Sequence, residues 1–598
     1  MKRWNAIVIV AATAIKLWLA GARTLEAIGW AGHDDWWFLQ RAISILHGQW
    51  LGPYNHLTLI KGQGYPLWVA FISLTHIPLL FAQQLLYAVA CFAVCWALGR
   101  AEARPTFVVL YVVLLFNPMT ASNDTSIRVT REGLYPALAL LVIAGAAGAV
   151  LRTKHALAWS TLCGVALALF WHTREEGVWL APVLACALLI AALQRKLAVV
   201  VLPLLIVVAA HYALVVANGM NYGVYAVVEF KWTPFLRAYG SLTSVRSHPP
   251  MPRFPVPKEA RERIYAVSPA FAELRPQLEG QLGIDWRRNG SNDLGGESFM
   301  WAFREAVEKV GYYQRGSAAV RDYYERVARE IEAARRDGRL DARAPHASLV
   351  PPLLYGQRAA ALRTWFRGMA RAIKFEELSI TRGHSEGYDS ELRAFAETTH
   401  ERLAPRRVVL RRVHLAGQTP LDVSVTHADG TPIAGARIAR EAQLARFEID
   451  VEAPDPYLVL SQGGRPVTRV ELGAQKPAGV DDYSFEITEP PLSAADAFRL
   501  DALQRIGRIY QRLVPWIFTI ALLLYLPFVK RDVTTAILMA GLLGAVALRV
   551  LILSLIDVTS FDVFTAGYQA PEYPLLLIVA VVAAHKAIDG LRARLSAR

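Results

Sequence analysis

Cysteine is scarce in this 598-residue chain: the four, Cys91, Cys95, Cys163 and Cys186, all lie in apolar runs. They offer no disulfide framework and no CxxC metal motif, and a long central region without cysteine suits an exported segment of a bacterial protein. Charge is also sparse, at 19% of residues against 54% hydrophobic ones, and the mean hydropathy is positive. That excludes an ordinary soluble protein of this size. Yet there is too much charge for a chain lying wholly in lipid, so a mixed architecture is expected. No basic stripe interleaved with aromatic residues accompanies the net charge of +14, so no nucleic acid partner is expected. No small-residue cleavage pattern follows the first apolar run, which reads as an uncleaved signal anchor.

What the chain does have is apolar runs clustered at its two ends. They are Ala6–Ala20, Phe81–Leu98, Phe107–Phe116, Leu134–Leu151, Trp159–Trp171, Val178–Leu193, Leu197–Ala217, Pro515–Val529, Thr534–Leu555 and Leu575–Ala584. They predict a polytopic α-helical membrane protein of about ten transmembrane helices, several of them shorter than the roughly 20 residues of a full crossing. Lys2 and Arg3, Arg100 and Arg104, Arg152 and Lys154, Arg195 and Lys196, Lys530 and Arg531, and Lys586 with the Arg-rich tail fall at alternate ends of successive runs. Those ends are expected to be cytoplasmic. The loop Gly21–Tyr65 and the region 218–513 would then face outward from a bacterial inner (cytoplasmic) membrane. Four parts follow: an N-terminal transmembrane module over 1–217, an exported mainly helical region over 218–407, a β-rich exported region over 408–490, and a linker helix with about three spans over 491–598.

The exported region has two textures. Ser317–Arg336 carries Val320, Tyr324, Val327 and Ile331 at helical spacing, with Ser317 as a candidate N-cap and Gly338 just past the end. Tyr312, Tyr313, Tyr323 and Tyr324 repeat at an eleven-residue offset and would share one face of a continuous helix, packed against a neighbour. From Val408 the pattern becomes strand-like: Val408–Val413, Leu421–Thr426, Arg446–Val451, Tyr457–Ser461 and Val467–Glu471, broken at Asp429-Gly430, Pro454-Asp455 and Gly463-Gly464. A small β-sandwich is expected.

The strongest candidate site opens the first outward loop: His33-Asp34-Asp35-Trp36-Trp37 puts two carboxylates where a span ends. Charge at a membrane boundary is costly unless it meets water, a partner or a substrate. The plain alternative is an N-cap for a helix over Trp36–Leu46, for which one Asp would suffice. Three more clusters fall on the same side: Asn123-Asp124 with Arg128, Arg131 and Glu132; His172-Thr173-Arg174-Glu175-Glu176; and Tyr568-Gln569-Ala570-Pro571-Glu572-Tyr573. Cations there suit a lipid phosphate and carboxylates suit removal of a hydroxyl proton. Each has a bland alternative, a rim salt bridge for Arg174 and snorkelling to headgroups for Arg131 and Lys61.

A signal-anchor span, an acidic pair opening the first outward loop, and then Lys61-Gly62-Gln63-Gly64-Tyr65-Pro66-Leu67-Trp68 as a Pro and aromatic entry into the next span resemble the GT-C superfamily of polytopic glycosyltransferases. That superfamily includes protein O-mannosyltransferases and lipid A aminoarabinose transferases. The likeness covers roughly 1–217 and, loosely, the last spans; the chain has Asp-Asp where many relatives show Asp-Glu, and its large insertion after the seventh span fits no particular subfamily. The resemblance implies a GT-C-like fold and transfer of a sugar from a polyprenyl-phosphate carrier to an extracytoplasmic glycan, lipid or protein acceptor. Asp34 or Asp35 would be the general base, with inversion at the anomeric carbon. Lys61, Arg128, Arg131 and Arg174 are the implied donor-phosphate residues, supported by His33, His172, Glu132, Glu175, Tyr568 and Glu572. Trp36–Leu46 would lie along the membrane surface, with Trp36, Trp37 and Phe38 at headgroup depth. No obligatory cofactor or metal is expected, a divalent cation being the alternative used by some relatives. The competing classes are a transporter, disfavoured because few ionisable residues (Lys16, His211, Arg549) fall inside runs and no repeat is visible, and a non-catalytic glycan-binding envelope protein.

Overall fold

The computed structural model describes residues 3–596 except 30, 100–103, 153, 288–290, 346–352, 354, 377, 388, 405–406, 416–421, 434–436, 441–445, 451, 454–456, 463–464, 472–479 and 489–491. The N-terminal part runs α1 (Arg3–Ala20), α2 (Asp35–Leu46), α3 (Gly64–Thr75), α4 (Leu79–Leu98), α5 (Arg104–Leu115), the single turn α6 (Asn123–Ser126), α7 (Tyr135–Leu151), α8 (Ala156–Thr173), α9 (Ala181–Leu193) and α10 (Ala198–Tyr222). Helices α11–α19 follow between Thr233 and Thr399, including α16 (Phe299–Lys309), α17 (Ser317–Arg336), α18 (Arg358–Lys374) and α19 (Asp389–Thr399). Strands β1–β8 lie between Arg407 and Thr488, and the chain ends with α20 (Ala494–Tyr525), α21 (Val533–Thr559), α22 (Ala566–Gln569) and α23 (Tyr573–Leu595).

Seven helices among the described residues are long and apolar enough to cross a membrane: 79–98, 131–151, 156–173, 199–222, 494–531, 533–559 and 573–595. Three shorter apolar helices, 4–20, 105–121 and 177–193, occupy other runs read from the sequence, and 64–75 is a fourth. At 12 residues, α3 is about 18 Å long and falls short of a hydrocarbon core of about 30 Å. The stretch after Lys61 therefore leads into a short helix, not a span. Pro78 precedes α4 as its N-cap, separating the two helices.

Helix α7 is the axis of the bundle. Nearly all its residues are buried, and its glycines permit close approach: a Cβ at Gly145 would overlap the Cys163 backbone of α8, and one at Gly148 would overlap the Trp159 ring. Small residues at a helix crossing are the usual means of tight packing in lipid. By contrast α10 exposes Val201, Leu204, Leu205, Val208 and Val216, an outward apolar face suited to acyl chains. The sequence places the start of a span at Pro515, but α20 runs unbroken through it from Ala494, its N-terminus capped by Ser493. The linker and the span are thus one helix.

The tyrosine repeat is not on one continuous helix, because Gly311 and Gly316, both at positive φ, break the chain before α17. The four rings still pack together, Tyr312 against Tyr323 with centroids 4.3 Å apart and the Tyr313 and Tyr324 hydroxyls 3.1 Å apart. Gly316, not Ser317, is the N-cap of α17, and Gly338 lies just past its end at φ 70°. In the β region, one antiparallel sheet has the order β3 (Arg437–Arg440), β4 (Arg446–Asp450), β1 (Arg407–Leu415), β5 (Glu452–Ala453) with β8 (Val480–Thr488) also on β1, and a second has the order β2 (Asp422–Thr426), β6 (Tyr457–Gln462), β7 (Arg465–Glu471). Strands β2 (Asp422–Thr426) and β6 (Tyr457–Gln462) fall on expected runs. The turn at Asp429-Gly430 is present, with Gly430 at φ 89°; the expected breaks Pro454-Asp455 and Gly463-Gly464 lie outside the described residues.

Candidate functional site

The first loop is pinned before it reaches the acidic pair. Glu26 N–H donates to the Ile127 carbonyl at 2.8 Å, Gly29 N–H to Glu386 and Glu386 N–H to Ala27, each at 2.8 Å. Ser385 Oγ donates to the Leu25 carbonyl at 2.7 Å and accepts from Ala27 N–H at 3.1 Å. The segment before Asp34 is therefore sandwiched between the 127–128 stretch and residues 385–386, which precede α19. Farther along the loop, the Leu59 carbonyl accepts from the N–H of Glu229 at 2.8 Å, Glu229 itself being paired with Arg304 in a fully buried bridge at 2.9 Å, and the His56 N–H donates to Glu308 at 3.0 Å. Residues from beyond α10 thus hold both flanks of the loop.

Asp34 and Asp35 then diverge. Asp35 is the first residue of α2 and is fully buried, with Arg128 bound across both carboxylate oxygens and the Val129 N–H donating to Oδ1 at 3.2 Å. Burial pushes its carboxyl up, while Arg128 pulls it back. Asp34 sits at the N-cap position of α2 but makes no capping bond through its side chain, so the simple cap reading does not describe it. Its carboxylate pairs with Lys61 and keeps 56% of its side-chain surface exposed, against 10% for Lys61. Burial raises this carboxyl, but the Lys61 ammonium, reinforced by Arg128 and Arg131, outweighs it and holds the pKa at about 2.

Lys61 also donates to the His33 carbonyl, and its ammonium lies 5.0 Å from the Phe38 ring centroid. Burial lowers its pKa and Asp34 opposes the shift. The next residue, Gly62, donates its N–H to Glu175 Oε1 at 2.9 Å. Gly62 passes so close to α8 that a Cβ there would overlap the His172 carbonyl. Glu175 in turn pairs with Arg131 at 2.8 Å. Arg174, almost wholly buried, reaches Glu132 at 2.7 Å and Glu176 at 3.0 Å, and its guanidinium lies 4.9 Å from the Tyr568 ring centroid. Arg174 and Arg131 hold the Glu176 carboxyl down, against burial, at about 2.

The expected clusters therefore do meet. Lys61, Arg128, Arg131, Arg174, Glu132, Glu175 and Tyr568 form one connected network with Asp34 and Asp35. Glu572 lies behind it, fully buried, with Oε1 accepting from Gln569 at 3.2 Å and no hydrogen-bond partner for Oε2 among the described residues. Burial drives its carboxyl up to about 8 although Arg549 opposes this. Two expected residues take structural places. The His33 ring packs edge-on against Trp286 and Trp301 of the central helical region, at 5.1 and 5.0 Å. His172 stacks on His211 at 5.5 Å.

One expectation fails outright. Trp37 and Phe38 are 1% exposed, Trp37 donating to the Leu57 carbonyl and Phe38 packing on Tyr65, so they cannot sit in the headgroups. Trp36 is half-buried against Phe395. Leu57, Tyr65 and Phe395 cover the face of α2 that was expected to meet lipid.

Two further residues, neither of them among the expected site residues, border the network. Arg549, deep in α21 and buried, donates to the Tyr568 carbonyl at 3.0 Å and lies 5.2 Å from the Trp179 ring centroid. Its position inside an apolar run was the available signal. Arg23 is buried against Asn123 Oδ1 at 2.7 Å and the Thr381 carbonyl at 3.3 Å, which draws Asn123 away from the Asp34 network. Among the described residues no group of three or more His, Cys, Asp or Glu side chains is arranged to hold a metal ion. No family model, curated protein or solved structure matches this chain.

Proposed function

We propose that this chain is a membrane glycosyltransferase of GT-C type, which moves a sugar from a polyprenyl-phosphate carrier to an acceptor outside the cytoplasm, with Asp34 as general base. One observation carries the reading: of two adjacent carboxylates at the bundle's end, Asp34 alone is solvent-accessible, does not cap its helix, and sits against a buried ammonium. Such an arrangement has no structural need for its charge and fits a site that handles protons beside phosphate.

In the proposed reaction the acceptor hydroxyl loses its proton to Asp34 as its oxygen attacks the anomeric carbon from the face opposite the phosphate. The bond from that carbon to the phosphate oxygen breaks, the electron pair leaves with the polyprenyl phosphate, and configuration inverts. Lys61 takes the developing phosphate charge. Arg131 and Arg174 contribute by exchanging Glu175, Glu132 or Glu176 for phosphate oxygens. Arg128, already bound to Asp35, acts as a positioning residue that fixes the start of α2. The basic ends of the helices support an orientation with the Asp34 end extracytoplasmic, beneath an exported region that would choose between envelope glycan, lipid or protein acceptors.

The test is mass-spectrometric glycan analysis of the host envelope with wild type and with Asp34→Asn at matched membrane expression. Loss of one sugar in the variant identifies donor and acceptor together. An unchanged profile rejects the transferase in favour of a transporter or a glycan-binding protein.

A further inference from the structure

The opposite end of the bundle holds a second feature that the transferase reading does not use. A cavity of about 320 Å³ opens between α4, α5, α7, α21 and α23 at the ends remote from Asp34; α7 alone separates the two ends by about 24 Å. The volume lies at the lower edge of the usual range for small-molecule sites, about 300–1,000 Å³. Its walls are apolar, with Phe107, Leu110, Leu538, Leu542, Ile578 and Val582, and its rim is cationic, with Arg152, Lys196 and Lys586.

The partners of those cations decide the charge of the rim. Arg152 donates only to main-chain carbonyls at the end of α4, Trp96, Ala97 at 3.2 Å and Gly99. Lys196 donates to the Gln194 amide oxygen at 3.3 Å. Neither partner carries charge, so among the described residues both positive charges stand uncompensated at the mouth of an apolar slot. The carboxylate on the lining, Asp532, is already neutralised by Lys586 at 2.7 Å, so it adds no net repulsion to an incoming anion. A free phosphate would use the rim and leave the walls empty. A neutral lipid would use the walls and leave two cations unanswered. A ligand with one anionic head and an apolar chain uses both, and basic pockets between membrane helices are known to take such headgroups.

We infer that this cavity is a binding site for an anionic phospholipid, its phosphate between Arg152 and Lys196 and an acyl chain in the slot between α5, α21 and α23. The inference does not rest on the transferase reading.

The test uses the full chain in nanodiscs of equimolar dioleoylphosphatidylglycerol and dioleoylphosphatidylcholine, with native mass spectrometry of the lipid that stays bound after release. Wild type retains phosphatidylglycerol preferentially. Lys196→Gln lowers that preference by about fivefold, the expected worth of one cation at a lipid surface, and Lys196→Arg preserves it. Arg152 also ties down the end of α4, so the second probe is Leu538→Trp, at a half-buried lining position, which fills the slot and lowers retention with every charge intact. Equal retention of the two lipids by wild type overturns the site, as does an unchanged preference in both Lys196→Gln and Leu538→Trp. Displacement of the bound lipid by a long-chain polyprenyl phosphate, when excess phosphatidylglycerol fails to compete, replaces the inferred occupant.

Discussion

Asp34→Asn and Asp35→Asn change the same atoms in adjacent residues, yet their costs should differ in kind. Asp35 is fully buried and holds a two-point bond to Arg128, whose own side chain is only 29% exposed. Removing one partner of a buried pair strands the other charge and costs about 3–5 kcal/mol. The partial exposure of Arg128 places this case near the lower bound, about 3 kcal/mol. Asp34 is 56% exposed and caps nothing, and in Asp34→Asn the Lys61 ammonium, 10% exposed, keeps the His33 carbonyl and gains an amide oxygen as acceptors, so the loss of the screened pair costs on the order of 1 kcal/mol. Loss of a general base, however, lowers transfer by roughly 10²–10⁴-fold. Thermal unfolding in nanodiscs, run beside sugar transfer at matched protein, separates the two. Asp35→Asn should melt well below wild type, and Asp34→Asn should melt near wild type and transfer nothing measurable. An Asp35→Asn protein as stable as wild type refutes the division of labour, as does an Asp34→Asn protein that still transfers.

Three further outcomes are expected. Gly62→Ala drives a methyl into the His172 carbonyl, which is backbone and cannot swing away, so it should destabilise by about 1–3 kcal/mol and lower transfer, read by melting and activity together. Lys61→Met removes the charge that depresses Asp34 and leaves the burial that raises it; because only ionised Asp34 accepts a proton, the acid limb of the pH–rate profile should move to higher pH, and a limb that stays in place argues against Asp34 as the base. Glu572 is held up at about 8 against an ordinary 4.5, so the unfolded chain releases this proton first. Its contribution to stability is full below pH 4.5 and is lost as pH rises to 8. Between pH 5 and 8 the loss is on the order of 4 kcal/mol, and Glu572→Gln should flatten that slope in melting measured across the range.

The sequence made the apolar runs, the basic ends and several strands legible because each is a local signal of composition or period. It also flagged the acidic pair, since two carboxylates at a boundary exceed what one cap requires. It could not say that the two differ. Asp35 is buried because residues 127–129 return alongside Glu26, a pairing about a hundred residues apart that leaves no local trace. Trp36, Trp37 and Phe38 read as an interfacial belt because a belt and a buried helix face share one composition; the cover that decides between them comes from Leu57, Tyr65 and, far along the chain, Phe395. Arg549 was visible as a charge in an apolar run, but its partner, the Tyr568 carbonyl, is a main-chain atom that no side-chain pattern announces.

The charge balance around Asp34 constrains how a donor can bind. Asp34, Asp35, Glu132, Glu175 and Glu176 supply five carboxylates, and Lys61, Arg128, Arg131 and Arg174 with Arg549 supply five cations. Glu572, held up at about 8, stays neutral at pH 7. A phosphate entering this network finds every cation engaged, so it can bind well only by releasing a carboxylate from one of them. The Lys61–Asp34 pair is the most accessible on its acidic side, which makes it the least costly to open. On the transferase reading that exchange has a second effect. Once Lys61 turns to the phosphate, the largest of the charges that hold Asp34 at about 2 is compensated and burial is opposed by Arg128 and Arg131 alone, raising its affinity for a proton. Asp34 is then a poor base while the site is empty and a better one when the donor is bound, so donor binding and activation of the acceptor hydroxyl become a single electrostatic event.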